Sequence, residues 1–308
     1  MSGGPRGPVR RAAEATAPCR VDLAGGVPGV LTLTAAIDRR AWCRIEPAEG
    51  VHLESRDALR KASGRTVAEL VEDGTLGSVA RMLRALGLET GVRVVTQSRV
   101  PPGSGLGESA ALAAAVAGAA AQLTGKTLDP DEVARLAGDA EAPGRLREGH
   151  TAVRGGALAL HPADAGLRAE TLAVDPARIE ESLLLVQAER SAEAGREDPR
   201  VLQDVASRVS TALVEGRFDD VIPLWAEEWD ARRGAGWPSG EWERVAGVVR
   251  EAGGAARPCG AGEGGLLGVW APPGAREAGR HEAVLQAARA AGLRLFPARV
   301  DLRGLDVE

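Results

Sequence analysis

Apolar and polar residues alternate along the first part of the chain, and the pattern then changes to helical spacing. Alternation with a period of two, bounded by glycine or proline, is typical of β-strands. It predicts strands at 19–23, 30–33, 41–45 and 92–96. Residues 66–86 instead carry apolar side chains three and four positions apart, which predicts two helices separated by a break at Asp73 and Gly74.

The second half of the chain is richer in helical patterns. An alanine-rich helix at 110–123, a helix at 129–142 and strands at 157–160 and 181–187 come first. Helices are then predicted at 199–214, 218–233, 241–252 and 275–291, with strands at 266–270 and 293–302. The change from a mixed to a helix-rich pattern near residue 175 predicts an N-terminal domain at 17–175 and a C-terminal domain at 176–308. Residues 1–16 before them are expected to form a disordered leader.

Composition narrows the class of protein. A chain of 308 residues with 44% hydrophobic residues is long enough for two cores. No apolar run reaches the roughly 18 residues that would cross a bilayer, and the N-terminal arginines precede no apolar signal segment. The net charge of −5 gives no reason to expect nucleic acid. We therefore expect a cytoplasmic protein, monomeric or homodimeric, without a nucleic-acid or membrane partner.

The three cysteines, Cys19, Cys43 and Cys259, are far apart and odd in number. This pattern argues against a disulfide framework, and no two of them have metal-ligand spacing. We expect them to act as small buried apolar residues.

A glycine-rich loop at 101–111 stands between the predicted strand 92–96 and the alanine-rich helix. The first turn of a helix has unpaired backbone N–H groups, so a strand, glycine turn and helix in succession form an anion site. Two other phosphate motifs do not fit. Gly125-Lys126-Thr127 has Ala120 where a Walker A loop needs glycine, and Gly103, Gly105 and Gly107 are spaced too closely for a Rossmann fingerprint.

The loop Pro101-Pro102-Gly103-Ser104-Gly105-Leu106-Gly107-Glu108-Ser109-Ala110-Ala111 closely resembles the second motif of the GHMP kinases, Pro-x-x-x-Gly-Leu-Gly-Ser-Ser-Ala-Ala. Residues 17–26, Ala-Pro-Cys-Arg-Val-Asp-Leu-Ala-Gly-Gly, resemble the first motif of that family. Residues 257–265, Arg-Pro-Cys-Gly-Ala-Gly-Glu-Gly-Gly, resemble its third. The order and spacing of the three motifs resemble the family over essentially the whole chain.

The resemblance implies an α+β, two-domain fold, with an N-terminal domain like ribosomal protein S5 and a ferredoxin-like C-terminal domain. It implies an ATP-dependent kinase that uses Mg²⁺ and transfers the γ-phosphoryl group to a hydroxyl. The segment around Trp225 and Trp229 and the ending 292–297 are similar to heptose-7-phosphate and fucose-type sugar kinases. A sugar or sugar phosphate is therefore the expected substrate.

The motifs assign the site residues by position. The nucleotide-binding residues are Pro102, Gly103, Ser104, Gly105, Leu106, Gly107, Glu108, Ser109 and Ala110. The substrate-binding residues are Arg20, Asp22, Gly260, Gly262 and Glu263. The catalytic position of the sugar-kinase branch falls on Glu148, with His150 as a substitute base, and the metal ligands fall on Glu108 and Glu141, with Asp139 second to Glu141.

Three carboxylates stand at positions where the family has other residues. Glu108 replaces a serine, Glu148 replaces an aspartate, and Glu263 replaces a glycine. The Trp-Thr-Asp element that contacts sugar hydroxyls is absent after Gly26. Glu108 could bind the metal or fill the anion hole itself. The alternative hypothesis is thus a catalytically reduced GHMP protein with a binding or regulatory role, and an amino-acid or isoprenoid-precursor kinase is a further one.

Overall fold

The computed structural model describes residues 12–73, 76–101, 103–141, 147–163, 166–189, 198–237, 240–260, 264–274 and 279–308, with only the backbone of residues 140, 141, 147 and 148. Residues 1–11 of the predicted leader lie outside this description. Residues 13–16 already belong to the first strand, which pairs with two neighbouring strands. The predicted leader of 1–16 is therefore too long at its C-terminal end.

The strands of the described chain are β1 (Ala13–Ala24), β2 (Thr32–Pro47), β3 (Val51–Ser55), β4 (Arg60–Gly64), β5 (Val92–Ser98), β6 (Ala157–Ala163), β7 (Gly166–Thr171), β8 (Leu183–Gln187), β9 (Ala255–Pro258), β10 (Leu266–Trp270), β11 (Leu295–Pro297) and β12 (Asp306–Val307). The α-helices are α1 (Gly77–Ala85), α2 (Glu108–Thr124), α3 (Pro130–Glu141), α4 (Arg147–Arg154), α5 (Pro176–Ser182), α6 (Pro199–Val214), α7 (Val221–Gly234), α8 (Gly240–Glu251) and α9 (Arg280–Ala290). Single 3-10 turns lie at Val67–Leu70 and Phe218–Asp220.

The larger sheet has the strand order β12-β1-β2-β5-β3-β4, with β6 paired to β2 and β7 to β6. Only the β3–β5 pair is parallel. Helix α2 packs on β1, and its alanines allow a close approach. At Gly118 an added Cβ would lie 3.2 Å from the Cβ of Ala15 and 3.0 Å from a methyl carbon of Leu305. The small residues of α2 therefore set its distance from the sheet.

The smaller sheet has the strand order β11-β8-β10-β9 and is antiparallel throughout. Its chain order, one strand, a helical segment, a hairpin, a helix and a last strand, is the ferredoxin-like arrangement that the motifs predicted. Trp242 and Val284, both fully buried, anchor α8 and α9 in the core beneath this sheet.

The chain ends on the larger sheet rather than with the second half. Strand β12 pairs with β1, joining Val307 to Ala15 and Asp306 to Thr16. A single boundary near residue 175 therefore does not separate the two sheets completely, because the last strand returns to the first sheet. The division into 17–175 and 176–308 otherwise stays a prediction.

Several predicted elements differ in extent. Residues 32–33 of the first predicted strand and the whole segment 41–45 belong to one strand, β2, whose partner β1 shifts register between Pro18 and Cys19. The break at Asp73 is confirmed, but Val67–Leu70 before it is a 3-10 turn. The strand predicted at 293–302 is shortened to β11 and a single bridge at Val300, because Pro297 has no N–H for a longer ladder.

Candidate functional site

The glycine-rich loop joins β5 to α2 and has the backbone that an anion site needs. Gly103, Gly105 and Gly107 have φ angles of 73°, 85° and 68°, in the left-handed region that disfavours other residues. Gly107 is the N-cap of α2 and offers no side chain to the first turn of the helix. The N–H groups of that turn therefore lack a side-chain cap and are available to an anion.

The described residues of a second glycine turn, 259–260 and 264–265, pack directly on this loop. A Cβ at Gly264 would lie 2.5 Å from the carbonyl oxygen of Ser104, and one at Gly260 would lie 2.6 Å from that of Gly105. The N–H of Gly265 donates to the carbonyl of Gly103 at 3.3 Å. Glycine at these positions lets the second and third motifs meet backbone to backbone.

Arg20 and Asp22 lie beneath both glycine turns. Arg20 Nη1 donates to Asp22 Oδ1 at 2.8 Å and to the Cys259 carbonyl at 3.4 Å, and the Arg20 N–H donates to the Leu106 carbonyl at 2.8 Å. The Arg20 side chain also lines the loop, since a Cβ at Gly107 would lie 3.0 Å from its Cγ. The three family motifs are therefore joined by one buried arginine.

The carboxylate of Asp22 is fully buried, and its Oδ2 has no hydrogen-bond partner among the described residues. A Cβ at Gly26 would lie 2.8 Å from that oxygen. A buried carboxylate oxygen without a partner is costly unless a donor reaches it. The position thus provides an acceptor for a hydroxyl or N–H group entering beside the Gly25-Gly26 turn.

Glu108, the first residue of α2, points toward the turn between β3 and β4. Burial and the neighbouring charge of Asp57 raise the pKa of Glu108 from 4.5 to about 7, although a hydrogen bond with Ser98 opposes the rise. Asp57 is held in place by the Ser98 N–H, which donates to its Oδ1 at 3.0 Å. The motif comparison did not identify Asp57, which lies about fifty residues away in the sequence and shows no signal of its own.

A buried charge network fixes the Gly25-Gly26 turn to the second half of the chain. Arg257 donates to the backbone carbonyls of Asp22 and Gly25 and to Glu228 Oε1, the last at 2.8 Å. Arg232 donates to the same Gly25 carbonyl at 2.9 Å. Burial alone would raise the pKa of Glu228, but the two guanidinium groups hold it below its ordinary value.

The sequence singled out the segment of Trp225 and Trp229 but not Glu228 between them. Its side chain is completely buried, and such a carboxylate needs paired cations. The sequence carries no local signal for this pairing, because Glu228 and Arg257 lie in separate elements.

Helix α4 carries the predicted catalytic segment. Its Thr151 hydroxyl lies 2.6 Å from that of Thr34 in β2, and Thr34 is the register partner of Asp22 in β1. His150 is buried, and its Nδ1 lies 3.7 Å from Asp131 Oδ1 at the start of α3. Burial lowers the pKa of His150, so the ring is neutral near pH 7. Its described polar neighbour therefore belongs to α3 and not to the glycine loop.

The structure thus brings together most of the predicted site residues that it describes. Arg20, Asp22 and Gly260 meet the loop of Gly103, Ser104, Gly105, Leu106 and Gly107, with Glu108, Ser109 and Ala110 opening α2. Pro102, Gly262 and Glu263 lie outside the described residues, as do the side chains of Glu141 and Glu148. Asp139, the second choice for the metal, pairs with Arg135 on the surface of α3.

Comparisons with known proteins support the motif assignment. The family model for the GHMP kinases N terminal domain matches residues 74–149. Mevalonate kinase from Thermococcus sibiricus is 34% identical over 142 residues. That alignment covers 40% of this chain and spans 42% of the length of the mevalonate kinase.

The fold comparison extends over nearly the whole chain. A D-glycero-D-manno-heptose 1-phosphate kinase from B. thetaiotaomicron has a TM-score of 0.78 at 21% identity, with 96% of this chain and 98% of that one covered. Mevalonate kinase from Methanococcus jannaschii has a TM-score of 0.71 at 18% identity, with 96% and 100% covered. Residues 74–149 thus match the N-terminal domain of the GHMP kinases, and the GHMP kinase fold predicted from the motifs is confirmed over nearly the whole chain.

Among the described residues, no helix combines the length and apolar character needed to span a membrane.

Proposed function

We propose that this protein is an ATP-dependent phosphotransferase that moves the γ-phosphoryl group of ATP to a hydroxyl of a small molecule. The observation that carries the proposal is the uncapped first turn of α2 behind the left-handed glycines. Gly260 and Gly264 pack against this loop, and Arg20 lies beneath it. This arrangement suits the binding of phosphate groups in direct phosphoryl transfer.

The positions of the described residues suggest their roles. The N–H groups at the start of α2 would hold phosphate oxygens, and Arg20 would offset negative charge beneath them. The acceptor hydroxyl would bind beside Gly26, within reach of the unpartnered Oδ2 of Asp22. Its oxygen attacks the γ-phosphorus, the bond to ADP breaks, and the hydroxyl proton passes to a carboxylate, for which Glu148 stays our assignment.

Glu108 offers Mg²⁺ a carboxylate, which is a ligand type that this cation prefers in proteins. Its present neighbours, Asp57 and Ser98, are also oxygen donors, so the chemistry of the group fits a hard cation. We assign Glu108 and Glu141 as the residues that would hold Mg²⁺, which would supply positive charge to offset that of the phosphates. Replacing Glu108 with serine tests this. Weaker Mg-ATP binding supports the assignment, and tighter binding indicates that Glu108 fills the anion hole instead.

We propose a sugar or sugar phosphate as the acceptor, supported by the motifs and by the similarity to the heptose-phosphate kinase. The sequence similarity to the mevalonate kinases favours a second acceptor class, an isoprenoid precursor such as mevalonate. A buried Arg20–Asp22 pair suits either class, because sugars, sugar phosphates and mevalonate all present hydroxyl groups to a buried carboxylate.

The test measures ADP release with Mg-ATP and a panel of sugars, sugar phosphates, homoserine and mevalonate. Acceptor-dependent ADP release supports the proposal and identifies the class. The Asp22→Asn variant should raise the KM for the acceptor, and Glu148→Ala should lose turnover while it still binds nucleotide. Nucleotide binding without transfer to any acceptor would favour the catalytically reduced protein, and the absence of nucleotide binding would overturn both readings.

A further inference from the structure

A cavity, called the inter-sheet cavity below, lies between the two sheets, on the side of the glycine loop that faces the C-terminal half. Its volume is about 350 Å³, within the range of small-molecule sites of roughly 300–1,000 Å³. One wall comes from the end of β5 and the following loop through Leu106, and the other from β8, the start of β10 and Phe296 of β11. Gly103, Ser104 and Leu106 of the glycine loop contribute to its wall, whereas the first turn of α2 does not, so the cavity adjoins the phosphate cradle on another side of the loop.

Two arginines give this cavity a positive wall. Arg39 lies in β2 and Arg99 directly follows β5, and the Arg99 N–H donates to the carbonyl of Arg40 at 3.3 Å. The described partner of Arg39 is Asp38 at 3.4 Å, and both side chains are more than a third exposed, so this pair is weak. No ion pair is described for Arg99. The guanidinium groups are therefore available to a carboxylate or phosphate, whose oxygens they match in geometry.

The neighbouring Arg40 shows the contrast. It pairs with the nearly buried Asp301 at 2.5 Å and donates to the Gly304 carbonyl at 2.6 Å. Its charge is used in holding the C-terminal segment, whereas the charges of Arg39 and Arg99 line the cavity.

The opposite wall is largely apolar. Leu185 and Phe296 provide hydrocarbon and aromatic surface, and Gln187 adds an amide; Ser104, on the wall of the glycine loop, adds a hydroxyl. An aromatic surface across from two guanidinium groups suits a ligand with a flat apolar body and one anionic group.

Backbone hydrogen bonds connect this cavity with the nucleotide loop. The Ala188 N–H donates to the Gly265 carbonyl at 2.9 Å, and the Gly265 N–H donates to the Gly103 carbonyl at 3.3 Å. All three residues line the cavity. A ligand placed here would contact the end of β8, the second glycine turn and the glycine loop at once.

We propose that the inter-sheet cavity binds a small organic anion with an apolar body, and that its occupancy changes the affinity of the glycine loop for nucleotide. The effect on nucleotide affinity rests on the proposed function, whereas the binding of the anion does not. Because coupling between two sites is reciprocal, nucleotide must change the affinity of the anion by the same factor.

Phenyl phosphate is the probe, with benzoate and inorganic phosphate as comparisons, in calorimetric titrations of the full chain. The proposal expects one phenyl phosphate per chain, a weaker response to inorganic phosphate, and a loss of affinity of at least about tenfold in Arg99→Gln, since a charged hydrogen bond is removed. The control variant is Arg289→Gln, an exposed arginine on α9, which should bind as the unaltered protein does. If benzoate binds as tightly as phenyl phosphate, the site accepts carboxylates and phosphates equally well, and this result also supports the site.

Equal affinity in Arg99→Gln, or one-for-one displacement of phenyl phosphate by a non-hydrolysable Mg-ATP analogue, would overturn the separate site. If both ligands bind together with unchanged affinities, the coupling is wrong while the site stands. If phenyl phosphate binds and no nucleotide does, the proposed function fails and the cavity assignment survives.

Discussion

Replacing Glu108 with glutamine should stabilise the folded protein, and the gain should depend on pH. The rise of the Glu108 pKa from 4.5 to about 7 means that folding opposes its ionisation. At about 1.36 kcal/mol per pKa unit, the upper limit of the penalty is about 3 kcal/mol. The side chain is only partly buried, and solvent screening reduces this to roughly 1.5 kcal/mol.

The sign follows from linkage. Below pH 4.5 the carboxyl is protonated in both the folded and unfolded states, so no penalty applies. Between pH 4.5 and 7 the unfolded state ionises first, and the stability contributed by the protonated form is lost as the pH rises. Above pH 7 the full penalty is present. Glutamine resembles the protonated side chain, so the variant keeps its stability across this window.

Thermal unfolding at pH 5 and pH 8 measures the effect. At pH 8 we expect Glu108→Gln to unfold about 2–3 °C above the unaltered protein, and at pH 5 the difference should be much smaller. Glu132→Gln is the control, because Glu132 is exposed in the first turn of α3 and its loss should leave the melting temperature similar or slightly lower. An equal difference at both pH values, or a less stable variant at pH 8, would contradict the raised pKa of Glu108 and its causes, burial and the charge of Asp57.

Three further predictions concern the surroundings of the loop. Gly264→Ala should destabilise the protein by at least about 1 kcal/mol in denaturant titrations and weaken nucleotide binding, because its Cβ would meet the Ser104 carbonyl. The control is Gly247→Ala in α8, where the Cβ meets open space and should stabilise the protein by about 0.5–1 kcal/mol. Glu228→Gln removes the carboxylate charge that two buried guanidinium groups share and should cost about 3–5 kcal/mol by the same measurement, while Asp230→Asn, at an exposed pair, should change stability by less than about 1 kcal/mol. An NMR titration of His150 should give a midpoint below 6.5, and a midpoint above that value would contradict its burial beside α3.

The glycine loop and its flanking elements could be predicted because their signals are local. Proline and glycine mark the turn, alternating apolar residues mark β5, and alanines mark α2. Helix α5 was not predicted, although its start has a local signal, with Asp175 as N-cap and Pro176 after it. The apolar pattern predicted only the strand at 181–187, which overlaps the end of this helix.

Other elements escaped prediction for physical reasons. The turn between β3 and β4 has Leu59 at a φ of 52°, where glycine or asparagine is usual, so the common hairpin signal is missing. Helix α4 contains Gly149, an unfavourable helix residue, because a Cβ there would meet the Ala134 carbonyl of α3 at 1.9 Å. Both features are set by tertiary contacts rather than by local preference.

The site residues likewise divide into those that local motifs predicted and those that only the fold brings together. Motif positions predicted that Arg20, Asp22 and the two glycine turns belong together, and the structure joins them. The neighbours that change the properties of these residues, Asp57 beside Glu108 and Glu228 beside Arg257, come from distant segments and needed the fold to be seen.

The central claim is that the loop between β5 and α2 binds the phosphates of a nucleotide. Calorimetric titration of a non-hydrolysable Mg-ATP analogue, repeated with Gly105→Val, tests it most directly. Gly105 has a left-handed φ and lies against the Cα of Gly264, where a side chain would meet it at 3.1 Å. We expect saturable binding of one nucleotide per chain, lost in the variant while the variant still folds by circular dichroism. Unchanged affinity in a folded Gly105→Val protein would contradict the account.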